Sequence, residues 1–169
     1  NGPVNALLVL PDDSIIAAGD AAPCSLTISE GRLEELAFDG NNIILQATNS
    51  ITLNDLTCDG VLDLTAATGL GGGGAGGSIT LSTSAGGFTF VDPTNEIRVD
   101  GARDVSIGNG LTGPLALGRL TSTGGNILLD GSTVTLGGPI NEGGGLVSIA
   151  AATGIAINST IAGGCVHLI

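Results

Sequence analysis

Apolar residues in this chain come in short bursts, each introduced by glycine or asparagine and closed by a polar turn. The phrase recurs at residues 40–45, 76–81, 124–129, 144–149 and 163–168, where the aliphatic bursts begin at Ile43, Ile79, Ile127, Val147 and Val166. Within many bursts apolar and polar residues alternate, as in Ile79-Thr80-Leu81, Val105-Ser106-Ile107 and Val134-Thr135-Leu136. That alternation is the mark of a strand with one face in a core and one in solvent. The pattern predicts strands over 43–47, 50–53, 61–64, 78–82, 88–91, 97–99, 105–107, 115–120, 126–129, 133–136, 146–150, 154–157 and 165–168, preceded by shorter ones within 6–10, 14–17 and 25–28. One helix is predicted, over 29–38, with Ser29 as its cap, Glu30 in its first turn and Leu33 and Leu36 on one face.

Ile127, Val147 and Val166 are 20 and 19 residues apart. A fixed period near 20 with strand starts every seven or eight residues predicts stacked coils of two or three strands, an all-β parallel β-helix or β-solenoid. At a strand spacing of about 4.8 Å, roughly eight such coils would form a rod about 40 Å long. The other architecture that fits short strands with glycine turns is an antiparallel β-sandwich, as in a filament subunit. Either way residues 1–169 make a single all-β domain. Residues 1–38 form a cap or assembly segment of strands and one short helix, and 39–169 form the repeat region.

Composition narrows the function. Hydrophobic residues are 42% of the chain, yet there are three Phe and no Trp, Tyr or Met, so Ile, Leu, Val and Ala must fill the interior. Thirty glycines are expected to supply positive-φ corners. Net charge is −12, with no Lys and only Arg32, Arg98, Arg103 and Arg119. Such a chain lacks the basic footprint that neutralises phosphates, which excludes nucleic acid as a partner. No run of 18 apolar residues is present, so no membrane span is expected. The chain opens on Asn1 without a basic and then apolar leader, and is expected to be a mature protein or a segment of a larger one.

Candidate chemistry is sparse. Asp92, Asn95, Glu96 and Asp100 lie in the densest acidic stretch and are the candidate Ca²⁺ ligands, although the spacing matches no EF-hand or calcium-binding nonapeptide; no other cofactor is expected. Residues 69–77 are glycine-rich but lack the Gly-Lys-Ser/Thr ending of a phosphate loop. Cys24 and Cys58 are the candidate disulfide, with burial of the cysteines as small apolar side chains the other reading. Cys165 and His167 share a strand face without an adjacent orienting acid. Asn158 begins a glycosylation sequon. No acid pair is placed for glycoside cleavage, no catalytic residue is assigned, and the chain is expected not to be an enzyme. Thr133 and Thr135 stand alone, outside any threonine ladder.

Residues 28–36, 42–56, 97–108 and 124–129, above all the phrase Leu45-Gln46-Ala47-Thr48-Asn49-Ser50-Ile51-Thr52-Leu53-Asn54-Asp55-Leu56, resemble the large cyanobacterial exoproteins related to filamentous haemagglutinin. The resemblance spans about 25–162. It implies a right-handed parallel β-helix, export by two-partner secretion and a role in adhesion or extracellular matrix. The chain is shorter than those proteins and lacks their Asn-Pro-type secretion motifs.

The ends complete the picture. Val4, Leu7, Leu8, Val9 and Leu10 at one end, and Val166, Leu168 and Ile169 at the other, form apolar runs without an acid or an Arg. Strands of that kind template further pairing. The expected function is therefore an extracellular, cell-surface structural protein: a segment or subunit of a filament, fimbria or adhesin, secreted, that forms a head-to-tail homopolymer and meets a host or surface glycan. The alternative is a carbohydrate- or ice-binding module on the same scaffold.

Overall fold

The computed structural model describes residues 5–9, 15–19, 27–56, 59–66, 77–101, 103–108 and 110–169, the first two stretches as backbone only. Half of the residues are strand, wound into a parallel β-solenoid. An N-terminal pair, β1 (Asn5–Val9) and β2 (Ile15–Gly19), precedes the helix α1 (Glu30–Phe38). The first coil holds β3 (Ile43–Ala47), β4 (Ile51–Leu53) and β5 (Val61–Asp63), and the second β6 (Ile79–Thr83), β7 (Phe88–Phe90) and β8 (Glu96–Val99). Then come β9 (Val105–Gly108), β10 (Leu115–Leu117) and β11 (Arg119–Ser122). In the next two coils the first and second strands fuse, giving β12 (Ile127–Leu136) with β13 (Ile140–Glu142) and β14 (Leu146–Ile157) with β15 (Ile161–Ala162). The last strand is β16 (Cys165–Leu168).

The coils are therefore three-stranded. A long first coil from Ile43 is followed by about four turns of about 22 residues, not eight. The in-register starts Ile43, Ile79, Val105, Ile127, Val147 and Val166 explain the count: the early coils carry insertions, and only the last ones approach 20 residues. All described pairings are parallel except β1 with β2, which rules out the antiparallel sandwich.

The inward residues form columns. One runs Ile43, Ile79, Val105, Ile127, Val147, and its neighbour Leu45, Leu81, Ile107, Leu129, Ile149. The second strands add Ile51, Phe88, Leu115, Val134, Ile155 and Leu53, Phe90, Leu117, Leu136, Ile157. The third strands add Leu62, Ile97, Leu120, Ile140 and Ile161. Like side chains stack on like, so a core of branched aliphatics fills without large rings. Phe88 and Phe90 meet edge to face, 5.7 Å apart at 76°.

Several elements differ from those the sequence predicts. Residues 115–120 break into two strands at Gly118, because a Cβ there would stand 2.6 Å from the Asn95 carbonyl oxygen as the chain turns the corner. Residues 27 and 28 are not in a strand. The third strands β13 and β15 are unpredicted, being three and two residues long. Ser29 occupies the cap position of α1, but its side chain makes no capping hydrogen bond. Leu33, Leu36 and Ala37 bury the inner face of the helix.

The paired glycines serve close approach more than positive φ. Among the described glycines only Gly40, Gly60, Gly101 and Gly110 have positive φ. A Cβ at Gly125 would lie 1.7 Å from the Arg103 carbonyl oxygen, one coil below. Polar side chains join the same corner from coil to coil: Asn42 Oδ1 accepts the Ser78 N–H, Asp104 Oδ1 accepts the Asn126 N–H and Nδ2, and Asn126 Oδ1 accepts the Leu146 N–H.

Candidate functional site

One edge of the described sheet is β16. β16 pairs with β14 on one side only, Val166 beside Val147 and Leu168 beside Ile149, and among the described residues no strand follows it. The Ile169 N–H donates to Ile149 O at 2.9 Å and the Ala151 N–H to Ile169 O at 3.0 Å, so the strand is pinned along its length. Burial changes sharply across this step. Val147 and Ile149 are 0% exposed, whereas Val166 is 42% and Leu168 46% exposed, with Ile157 and Ile169 also open. From Gly143 to Ile169 no side chain carries an acid, Lys or Arg, in a chain of net charge −12. Cys165 and His167 stand at the alternate positions of the strand, in register with Leu146 and Ser148, and both are exposed.

The opposite edge is β1. Leu7, Leu8 and Val9 lie in it, paired antiparallel to Ala17, Ile16 and Ile15; Val4 and Leu10 fall outside the described residues. Because Ile15 pairs with Ile43 and Ala17 with Leu45, Val9 and Leu7 hold the register positions of the two inward columns.

The other predicted sites are dispersed. Asp92 folds back on its own turn, accepting the Thr94 N–H at 2.8 Å and hydroxyl at 2.7 Å, and these two bonds hold its carboxyl below the usual value of 3.8. Asn95 is buried, with Nδ2 toward Asn54 O. Glu96 is buried under Arg98 and Arg119, whose Nε atoms lie 3.2 and 3.9 Å from its oxygens. Asp100 accepts the Ala66 N–H at 2.9 Å. The four candidate Ca²⁺ ligands thus bond to separate partners, and among the described residues no group of three or more His, Cys, Asp or Glu is placed to hold a metal ion. Cys24 and Cys58 lie outside the described residues, as does most of the 69–77 loop. Asn158 is exposed in the bend after β14.

Two buried polar groups escaped the sequence reading. Arg103, 1% exposed, donates from Nη1 to Leu64 O at 2.8 Å and from Nη2 to Ala37 O at 2.7 Å, while its Nε has no partner. Burial lowers the pKa of this guanidinium, and nearby Asp100 opposes the shift. Glu142 accepts the Gly144 N–H on both oxygens, at 2.9 and 2.8 Å. Arg103 thus joins the helix and the first coil to the third, and Glu142 also accepts the Gly164 N–H of the next coil at 3.5 Å. Thr135 is also less isolated than its sequence suggests, since the register aligns Thr52, Thr89, Ala116, Thr135 and Ala156 on the outward side of the second strands. A depression of about 170 Å³ lined by Phe90, Pro93, Ala116, Leu117, Thr135 and Gly137 lies there.

Compared with protein-family models, with curated proteins and with solved structures, the chain matches none.

Proposed function

We propose that this protein is a structural element rather than an enzyme: a segment or subunit of a secreted surface filament, fimbria or adhesin that lengthens by strand pairing at its ends. The observation that carries this reading is the uncharged edge at β16. An exposed strand edge with apolar inward positions is a template for another strand. Acidic self-repulsion elsewhere on the surface opposes lateral association, and it is absent from this one end. A contact between two different ends of the same molecule does not close on itself, and so propagates into a fibre. Export to the cell exterior and a glycan partner belong to the same proposal and rest on the sequence resemblance alone.

The test is negative-stain electron microscopy of the purified chain at neutral pH, with and without Ca²⁺, alongside sedimentation velocity. Regular filaments, or a concentration-dependent series of oligomers, would support the reading. Monomers at every concentration would count against it.

A second reading, a carbohydrate- or ice-binding module, is favoured by the Thr52, Thr89 and Thr135 column. Its test is thermal hysteresis and glycan-array binding of the chain and of a Thr89→Val, Thr135→Val variant.

A further inference from the structure

We infer that the third-strand face of the solenoid carries a binding site for a carboxylate-bearing sugar, built from the guanidinium ends of Arg98 and Arg119 with the Thr121 hydroxyl and the Asn141 amide. The inference rests on the glycan partner proposed above and gives that partner a place and a chemistry. Register brings the residues together. Arg119 lies beside Glu96, Thr121 beside Arg98, and Asn141 beside Thr121. The strands that carry them, β8, β11 and β13, are the middle ones of the five-stranded sheet. Ile97, Leu120 and Ile140 are buried in the core, so alternation turns Arg98, Arg119, Thr121 and Asn141 outward.

Glu96 holds the two arginines in place. Its side chain is 7% exposed, with Oε1 3.2 Å from Arg98 Nε and Oε2 3.9 Å from Arg119 Nε. Two guanidiniums thus converge on one buried carboxylate, which leaves one positive charge in surplus over Glu96. Both arginine side chains stay open, at 42% and 48% exposure. Among the described residues no acceptor meets the Nη groups of either arginine, and nothing bonds the Thr121 hydroxyl or the Asn141 amide. Gly138 makes room for the Arg119 stem, since a Cβ there would lie 2.7 Å from Arg119 Cγ. Asp63, in register with Arg98, accepts the Thr65 N–H at 3.2 Å, and Asp100 accepts the Ala66 N–H at 2.9 Å.

Charge selects the ligand. The chain has no Lys, Arg32 is bonded to Glu35, and Arg103 is buried. An anion recognised by cationic side chains therefore has to be met by Arg98 and Arg119. A guanidinium presents paired N–H donors that match a planar carboxylate. A densely sulfated or phosphorylated chain is repelled by a molecule of net charge −12. A single uronate among neutral sugars needs little positive charge, and its hydroxyls find partners in Thr121 and Asn141.

The test is an NMR titration of the full chain with a trisaccharide bearing one glucuronate, with the same trisaccharide reduced at the carboxyl group, and with sodium acetate. The uronate sugar should shift the Nε–Hε signals of Arg98 and Arg119 and the amides of 96–98, 119–121 and 141, saturably and less at high salt. R98Q and R119Q should each raise Kd about tenfold, the effect of one charge-assisted hydrogen bond. R119K keeps the charge beside Glu96 and loses the planar fork, so it should weaken binding too, and it serves if R119Q fails to fold. Absence of saturable shifts on this face would overturn the site, as would unchanged affinity in the arginine variants. Equal affinity for acetate would overturn the sugar assignment. Binding of the reduced sugar with shifts at Thr52, Thr89 and Thr135 instead would overturn this site and leave the glycan partner standing. Sedimentation of the same samples reads end-to-end assembly separately, so its failure is distinguishable from failure of the site.

Discussion

The guanidinium of Arg103 donates from Nη2 to the carbonyl oxygen of Ala37 at 2.7 Å, across 66 residues of sequence. Ala37 lies in the last turn of α1, where carbonyls need partners beyond the helix, and its oxygen also accepts the Gly40 N–H at 2.9 Å. Since Nη1 of the same side chain holds Leu64 O, one buried cation fastens the helix and the first coil to the start of the third. Arg103→Met should therefore take the guanidinium donor from Leu64 O and leave Ala37 O with the Gly40 N–H, while removing a buried charge. Hydrogen bonds to charged groups contribute about 1.5–3 kcal/mol each, and relief of the buried charge offsets part of that loss. We expect a net destabilisation of about 2 kcal/mol by urea denaturation. Amide exchange should rise first in α1, and equal exchange rates in α1 of the two proteins would contradict the assignment.

Gly125 and Gly144 separate close approach from mere flexibility. Gly125→Ala places a Cβ 1.7 Å from the Arg103 carbonyl oxygen, so the coils must part there. The expected loss is about 1–3 kcal/mol, the range for overpacking. Gly144 has open space within 4 Å and no positive φ, so Gly144→Ala should be neutral or gain about 0.4–1 kcal/mol through the unfolded chain. Thermal melts of the two variants side by side decide the point.

Asp92 should ionise at lower pH than an ordinary aspartate, first through the Thr94 backbone N–H and second through the Thr94 hydroxyl. The folded pKa lies below the usual value of 3.8, so the contribution of this turn to stability is present above that value and is lost as pH falls through the lowered one. Thr94→Ala keeps the backbone donor and should return the pKa part of the way. A carbon-detected NMR titration of Asp92 that gives identical values in both proteins would contradict this.

Asn126→Ala removes the acceptor for the Leu146 N–H and the side-chain donor to Asp104, both part of the ladder along one corner. A loss of about 1 kcal/mol is expected for a bond of this kind. Exchange of the Leu146 amide should quicken more than that of the Val105 amide, which donates to the Asn126 backbone carbonyl and keeps its partner.

The inward columns were legible because branched aliphatics recur at fixed offsets: Ile127, Val147 and Val166 announce the stacking before any coordinate is known. The third strands were not. β13 is Ile140-Asn141-Glu142, with one apolar residue in three, and the buried carboxylate of Glu142 is satisfied by glycine amides rather than by a countercharge. Local pattern cannot reveal a partner of that sort. Arg103 was hidden for a related reason, its acceptors lying 39 and 66 residues away. Asp92, Asn95, Glu96 and Asp100 stand close in sequence, but closeness along a turning chain does not bring side chains to one point. Tight turns and strand alternation instead send Asp92 to its own loop, Glu96 to two arginines and Asp100 to the neighbouring coil.

The nine-residue ladder between β12 and β14 is the longest pairing among the described residues, and it joins two compact coils. In a stack where each coil touches only its neighbours, order can begin at one place and spread outward, and short loops close at the smallest entropic cost. Folding should accordingly start near residues 127–157 and advance in both directions, reaching the long first coil and α1 last. Pulse-labelled exchange during refolding would then record a wave of protection, with Val134 among the earliest amides and Ile43 among the latest.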